Sequence, residues 1–179
     1  MNLKTKKREA IVFPLLLALF AMMISSCANG TTEVAEEPER EPVIIERDKG
    51  KEPWVVDIEA ATKDNDKYRL TIWTGEYMQA VLMSLKPGEV IDLELHADHD
   101  QFIRVEKGKA RILMGPEKES LTFNEEVADD WAIFIPAGYW HKVENIGEGD
   151  LRLYTLYGPP EHAKGTTHAT YEDTRDYEH

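Results

Sequence analysis

Hydrophobic positions along the chain follow two regimes. Near the N-terminus they form one run, AIVFPLLLALFAMMI (10–24), with Pro14 inside it. From about residue 53 they come in short bursts separated by Gly, Pro and Asp/Asn turns. The bursts are YRLTIWTG (68–75), EYMQAVLMSL (76–85), VIDLELH (90–96), QFIRVEK (101–107), KARILMG (109–115), WAIFIP (131–136), WHKVENI (140–146) and LRLYTLY (151–157). Between them stand Lys86-Pro87-Gly88, Lys107-Gly108, Gly115-Pro116, Pro136-Ala137-Gly138 and Gly147-Glu148-Gly149. Evenly spaced short strands with such turns predict an all-β sandwich or barrel. After residue 24 there is no sustained helical period, and no repeat of about 20–50 residues.

Successive side chains of a strand point to opposite faces. This places Val90, Asp92, Glu94 and His96 on one face and Ile91, Leu93 and Leu95 on the other. Gln101, Ile103 and Val105 share a face, as do His141, Val143 and Asn145. Phe102, Arg104, Trp140 and Lys142 then point outward, and Arg69 is left without an assigned face. Outward aromatics are read as a surface for a second copy, giving a homodimer.

The N-terminal run is too short for the roughly 20 residues of a spanning helix. Lys4, Lys6, Lys7 and Arg8 precede it, and Ile24-Ser25-Ser26-Cys27 follows. A basic head, an apolar run and small residues before a cysteine resemble a bacterial lipoprotein signal. That resemblance implies a signal peptide over 1–26, lipid on Cys27, and a protein held at a membrane of the cell envelope. The alternatives are an ordinary secretory signal with a stray cysteine, or a buried core helix. Cys27 is the one cysteine, so no intrachain disulfide forms. Residues 27–52 are Glu-rich and polar, and read as a flexible acidic linker, with 43–45 as an alternative edge strand. The domain then spans 53–179, and its final ATYEDTRDYEH (169–179) reads as a frayed polar end. With 34 acidic against 21 Lys+Arg residues the formal charge is -13, which argues against a nucleic-acid partner.

The turn and strand Pro136-Ala137-Gly138-Tyr139-Trp140-His141-Lys142-Val143-Glu144-Asn145 resembles the second motif of the cupin superfamily, G-x5-P-x-G-x2-H-x3-N. Asp130 stands where that motif has its leading glycine. The first motif, G-x5-H-x-H-x3–4-E-x6-G, is present in altered form as Glu94-x-His96-x4-Gln101-x6-Gly108. The stretches WTG (73–75), DQFIRVEKG (100–108), PAGYWH (136–141), YGPPEH (157–162) and GTTH (165–168) are similar to small bacterial cupin type-2 proteins of the mannose-6-phosphate isomerase-like group. The resemblance implies a double-stranded β-helix, or jelly-roll, barrel. It does not imply a reaction, because this fold hosts many.

Carried over by position, the family's metal ligands are Glu94, His96, Gln101 and His141. Two imidazoles, a carboxylate and an amide oxygen suit Fe, Mn, Zn or Ni as the divalent cofactor. The alternative is a metal-free barrel in which these groups pair with one another. His99 is expected to be exposed. Gln79 and Tyr139, with Trp73 and Trp131, are candidates to line a pocket for a small-molecule ligand, against an ordinary core role. His162 and His168 either fold over the barrel mouth as ligand-binding groups or belong to a solvated tail. Two functions are compatible with these residues: a metal-dependent enzyme on a small polar substrate such as a sugar or an organic acid, and a non-catalytic small-molecule or carbohydrate binding module. With few inward cations, no strong phosphate site is expected.

Overall fold

The computed structural model describes residues 40–175. The expected signal peptide, Cys27 and the first part of the expected linker lie outside the described residues. A short helix, α1 (Ile58–Asp64), precedes ten strands. These are β1 (Arg69–Thr74), β2 (Gln79–Leu85), β3 (Val90–Leu95), β4 (Asp100–Lys107), β5 (Ala110–Gly115), β6 (Phe123–Val127), β7 (Ala132–Ile135), β8 (Trp140–Asn145), β9 (Leu151–Gly158) and β10 (Thr167–His168). They form two antiparallel sheets, one ordered β10-β1-β2-β9-β4-β7 and the other β3-β8-β5-β6. The fold is thus an all-β jelly roll.

The inner faces of both sheets meet in one core that includes Val81, Met83, Ile103, Val105, Ile112, Val143 and Leu153. The alternation expected for β4 and β8 is present: Gln101, Ile103 and Val105 are buried, as are His141, Val143 and Asn145. Strand β3 departs from it. Ile91 sits in the core, yet Glu94, three residues on, pairs across the sheet with buried His141. The register shifts between Ile91 and Glu94. A bulge absorbs one residue of pleat, so both side chains are brought to the inner side.

The outer face of β1 and β2 is also covered, which explains why these strands are buried almost throughout. Leu70, Ile72 and Leu82 pack against Val43, Ile45, Trp54, Val56, Ile58 and Ala61. The expected linker 27–52 is therefore laid onto the domain from residue 40 rather than free. It has too little apolar surface to fold alone, but it completes a sheet face that would otherwise be wet. Val43 and Ile45 pack by side chains on that face while Ile44 is exposed, and 43–45 do not add an edge strand. Arg40 grips Asp64 at the end of α1 through two bonds of 2.6 and 3.0 Å.

Buried Asp48 fixes this segment. Its carboxylate accepts from Gly50 N–H, Thr74 N–H, the Thr74 hydroxyl and Gly165 N–H. Gly50 lies so close to Thr74 that a Cβ on it would fall 2.0 Å from the Thr74 carbonyl oxygen. The C-terminal segment is likewise attached rather than frayed as far as it is described. β10 pairs with β1, and the Tyr171 hydroxyl donates to Asp92.

Two elements escaped the hydrophobic pattern. At seven residues, α1 is too short to show a period; its signal is the Asp57 side chain, which accepts from Ala60 N–H at 3.0 Å. Strand β6 is exposed at four of its five positions, so it has no alternation to detect. Asp130 keeps the backbone of the glycine it replaces in the motif, with φ of 70°. Aspartate tolerates this left-handed region better than most residues, and its carboxylate meets Arg104 at 2.6 Å.

Candidate metal centre

Two strands of the four-stranded sheet and one of the six-stranded sheet carry the ligand-type groups. The bulge in β3 turns Glu94 inward, and His96 follows just beyond that strand's end. The turn Pro136-Ala137-Gly138 then delivers His141 on β8. Gly138 takes φ of 78°, which glycine adopts without strain. Its N–H donates to the His96 carbonyl at 2.7 Å. That bond ties the two motifs together at the backbone, so His96 and His141 are positioned by the same turn.

Donor atoms of Glu94, His96 and His141 all lie within 4.8 Å of one another. Glu94 Oε1 is 3.2 Å from His141 Nε2 and 3.4 Å from His96 Nε2. His141 Nδ1 lies 3.1 Å from the Tyr139 carbonyl. A carbonyl only accepts, so Nδ1 donates to it and Nε2 is the nitrogen turned to Glu94 and the centre, where a cation would displace any proton it shares with the carboxylate. His96 Nδ1 faces Glu161 at 3.5 Å, again leaving Nε2 toward the centre. Such outer partners are typical of metal-binding imidazoles. Gln101 donates through Nε2 to Thr155 Oγ1 at 3.0 Å, while its buried Oε1 has no hydrogen-bond partner. An orphaned buried amide oxygen is what a ligand oxygen looks like without its ion. Thus Glu94, His96 and His141 form a group that could hold a divalent metal, and Gln101 carries a buried amide oxygen with no hydrogen-bond partner.

The charges agree. Burial alone would raise the Glu94 carboxyl, but His141 and His96 hold it well below the usual carboxylate range. Burial pulls the His96 imidazole down, and Glu94, Glu161 and Asp98 outweigh that and raise it. Uptake of a cation would release any proton held by the imidazoles.

His99 is not exposed, contrary to expectation. It is 7% accessible and stacks on His96, with ring centroids 4.5 Å apart. Its Nε2 lies 2.9 Å from Glu161 Oε2, so His96, His99 and Glu161 form a second cluster beside the first. Glu161 follows Gly158-Pro159-Pro160, and sequence reasoning missed it. The YGPPEH match to the resembled group was its one available signal.

The C-terminal histidines belong to the barrel mouth. His162 and His168 line a cavity of about 370 Å³ together with Tyr68, Arg69, Glu94 and Glu161. Gln79 does not line it. It is fully buried, donates to Thr74 Oγ1 and the His162 carbonyl, and accepts from His162 N–H. Its role is to fasten the C-terminal segment, because no polar atom of its amide is left for a ligand. Tyr139 stands on the outer turn, 39% exposed, and acts on the centre through its carbonyl. Trp73 donates to the Glu52 carbonyl and Trp131 is exposed, so neither reaches this cavity. Phe102 is half-buried against Phe134 and Tyr154 on the outer face of the larger sheet.

Comparison with known proteins agrees with this architecture. The family profile for the cupin domain matches residues 81–157. YrkC, an uncharacterized protein of Bacillus subtilis, is 47% identical over 130 residues, which cover 73% of this chain and 70% of that protein. L612 of Acanthamoeba polyphaga mimivirus, also uncharacterized, is 43% identical over 113 residues, covering 63% and 69% of the two chains. The crystal structure of BH2720 from Bacillus halodurans superposes with a TM-score of 0.72 at 47% identity, covering 73% of this chain and 99% of that one. With these relatives and the jelly-roll barrel, the chain belongs to the cupin superfamily.

Proposed function

We propose that this cupin domain holds one divalent transition metal (Fe, Mn, Zn or Ni) through Glu94, His96, His141 and Gln101, and acts as a metal-dependent enzyme on a small polar molecule. The observation that carries the reading is the convergence of donor atoms of Glu94, His96 and His141 within 4.8 Å of one another. Bound there, the metal would supply Lewis-acid or oxygen-activating chemistry. The residues themselves do the positioning. Tyr139 and Glu161 orient the imidazoles, and the 162–168 segment walls the cavity against water.

One observation favours a non-catalytic binding module instead. Glu94 already reaches both imidazoles, so the group can pair internally with no ion. Elemental analysis of the purified mature chain separates the two. The enzyme reading expects about one metal per chain, a melting temperature that falls on chelation, and loss of the metal in a His96→Ala/His141→Ala variant. Metal-free native protein whose melting temperature ignores added Fe, Mn, Zn and Ni would leave the binding module.

We also propose that the chain is anchored in the cell envelope through lipid on Cys27. Mass spectrometry of protein extracted with detergent is then expected to find an acylated N-terminus at Cys27. An unacylated N-terminus would refute the anchor.

A further inference from the structure

A buried arginine faces the cavity beside the metal centre. β1 turns Leu70 and Ile72 outward, into the cluster with Val43 and Ile45. Arg69 therefore faces inward, in register with core residue Met83 of β2. It is 8% exposed, and it lines the same cavity of about 370 Å³ that Glu94 borders.

Its partners do not neutralise it. The guanidinium carbon is 5.8 Å from the centre of the Tyr68 ring, and one terminal nitrogen is 3.5 Å from His168 Nδ1. Its buried Nε has no hydrogen-bond partner. Removing a guanidinium from water without an anion is unfavourable. The acidic groups on the cavity wall are otherwise engaged. Glu94 meets His96 and His141, Glu161 meets His96 and His99, and Asp92 accepts from Tyr171. Nor is the positive charge shared with the nearby imidazoles. Burial and the charge of Arg69 push His162 down to about 3 and lower His168 as well.

We infer that the cavity takes a small molecule bearing a carboxylate, which Arg69 grips at one end while the other end reaches the Glu94/His96/His141 centre. The second half of that statement rests on the metal reading above; the grip of Arg69 does not. The planar fork of a guanidinium matches a carboxylate edge and fixes its orientation. A phosphate dianion fits less well. The wall carries the buried guanidinium of Arg69 and the exposed one of Arg175, against the carboxylates of Glu94, Glu161 and Asp92. The cavity suits an acid of a few carbons rather than an oligosaccharide.

The test uses calorimetric titration of the mature chain with lactate, pyruvate and succinate. Glycerol and glucose serve as neutral probes, and inorganic phosphate as the competing anion. Native protein is expected to bind at least one acid saturably, and more tightly than phosphate or either neutral probe. Arg69→Met is expected to weaken that binding by about tenfold or more, the scale of a lost charge-assisted contact. Arg69→Lys, which retains the buried cation, guards against a folding defect and should fall between the two. Metal content is measured on every sample. Native-like metal in Arg69→Met with lost acid binding supports the inference. Equal binding by native and Arg69→Met, tighter binding of phosphate or a polyol, or no acid binding would overturn it. If native protein takes up no metal, the metal reading fails by itself. The Arg69 comparison on metal-free protein, with the same outcomes, still decides the grip.

Discussion

Alanine in place of His141 is expected to lower metal affinity by more than the roughly 10–100-fold that loss of an outer partner costs. His141 is fully buried, and its Nε2 is oriented by a hydrogen bond on the other ring nitrogen. No other described imidazole stands on β8, so alanine leaves an apolar gap where a ligand was. Glu161→Gln provides the scale. Glu161 touches the rear nitrogen of His96 at 3.5 Å and His99 at 2.9 Å, without joining the Glu94/His96/His141 group. Its loss is expected to cost about 10–100-fold, the outer-partner range. Chelator competition with Co(II) or Zn(II) measures both variants. A His141→Ala protein with native affinity would remove His141 from the centre. A Glu161→Gln loss as large as that of His141→Ala would move the ion toward the His96/His99/Glu161 cluster.

Asp48→Ala is expected to destabilise the domain by about 2–4 kcal/mol, because it leaves the backbone donors of Gly50, Thr74 and Gly165 without their acceptor. For a domain of this size that lowers the melting temperature by roughly 6–15 °C. The effect depends on pH. Burial raises the Asp48 carboxyl, but the Thr74 hydroxyl and three backbone N–H groups outweigh it and hold the pKa below its ordinary value. A lowered folded pKa gives stability that is fully present above the unfolded value of about 3.9 and is lost as pH falls through the folded one. Urea melts of native and variant protein should therefore differ most near neutrality and draw together in strong acid. A gap that does not depend on pH would show that packing, and not the carboxylate, accounts for the loss.

Part of the barrel was legible because strands such as β8 and β9 are half-buried and alternate along their length. In β4 and β8 the period alone assigned the faces, and Gln101 and His141 are buried on the faces it gave them. The sequence reading of β3 put Ile91 opposite Glu94, because a bulge leaves no mark in a hydrophobic pattern. The motif spacing, which fixes positions independently of pleat, placed Glu94 where alternation erred about Ile91. His99 was misjudged for a different reason. Its burial comes from stacking on His96 and from Glu161, more than sixty residues away in sequence, and a local pattern carries no such information. Arg69 was unreadable for the same reason. β1 is covered on both faces, so alternation could not say which face holds the core. The segment from residue 40 read as linker because its few apolar residues make no core of their own. They complete one whose other half lies in β1 and β2.

The strand order β10-β1-β2-β9-β4-β7 has a consequence for the folding of the chain. The first strand pairs with the last, and β2 pairs with β9, so the larger sheet joins the two ends of the domain. Asp48 accepts from Gly165, 117 residues away. Contacts of such long range make for slow folding, because the intervening chain must be closed before they contribute. During synthesis, residues 40–56 emerge before the strands they cover, but the bond from Gly165 to Asp48 must wait until translation of the domain is nearly complete. Until then β1 and β2 lack their partners β10 and β9, and such unpaired strand edges are the kind of exposure on which nascent chains aggregate. The barrel therefore closes last where it begins, and its earliest residues are the longest in need of protection.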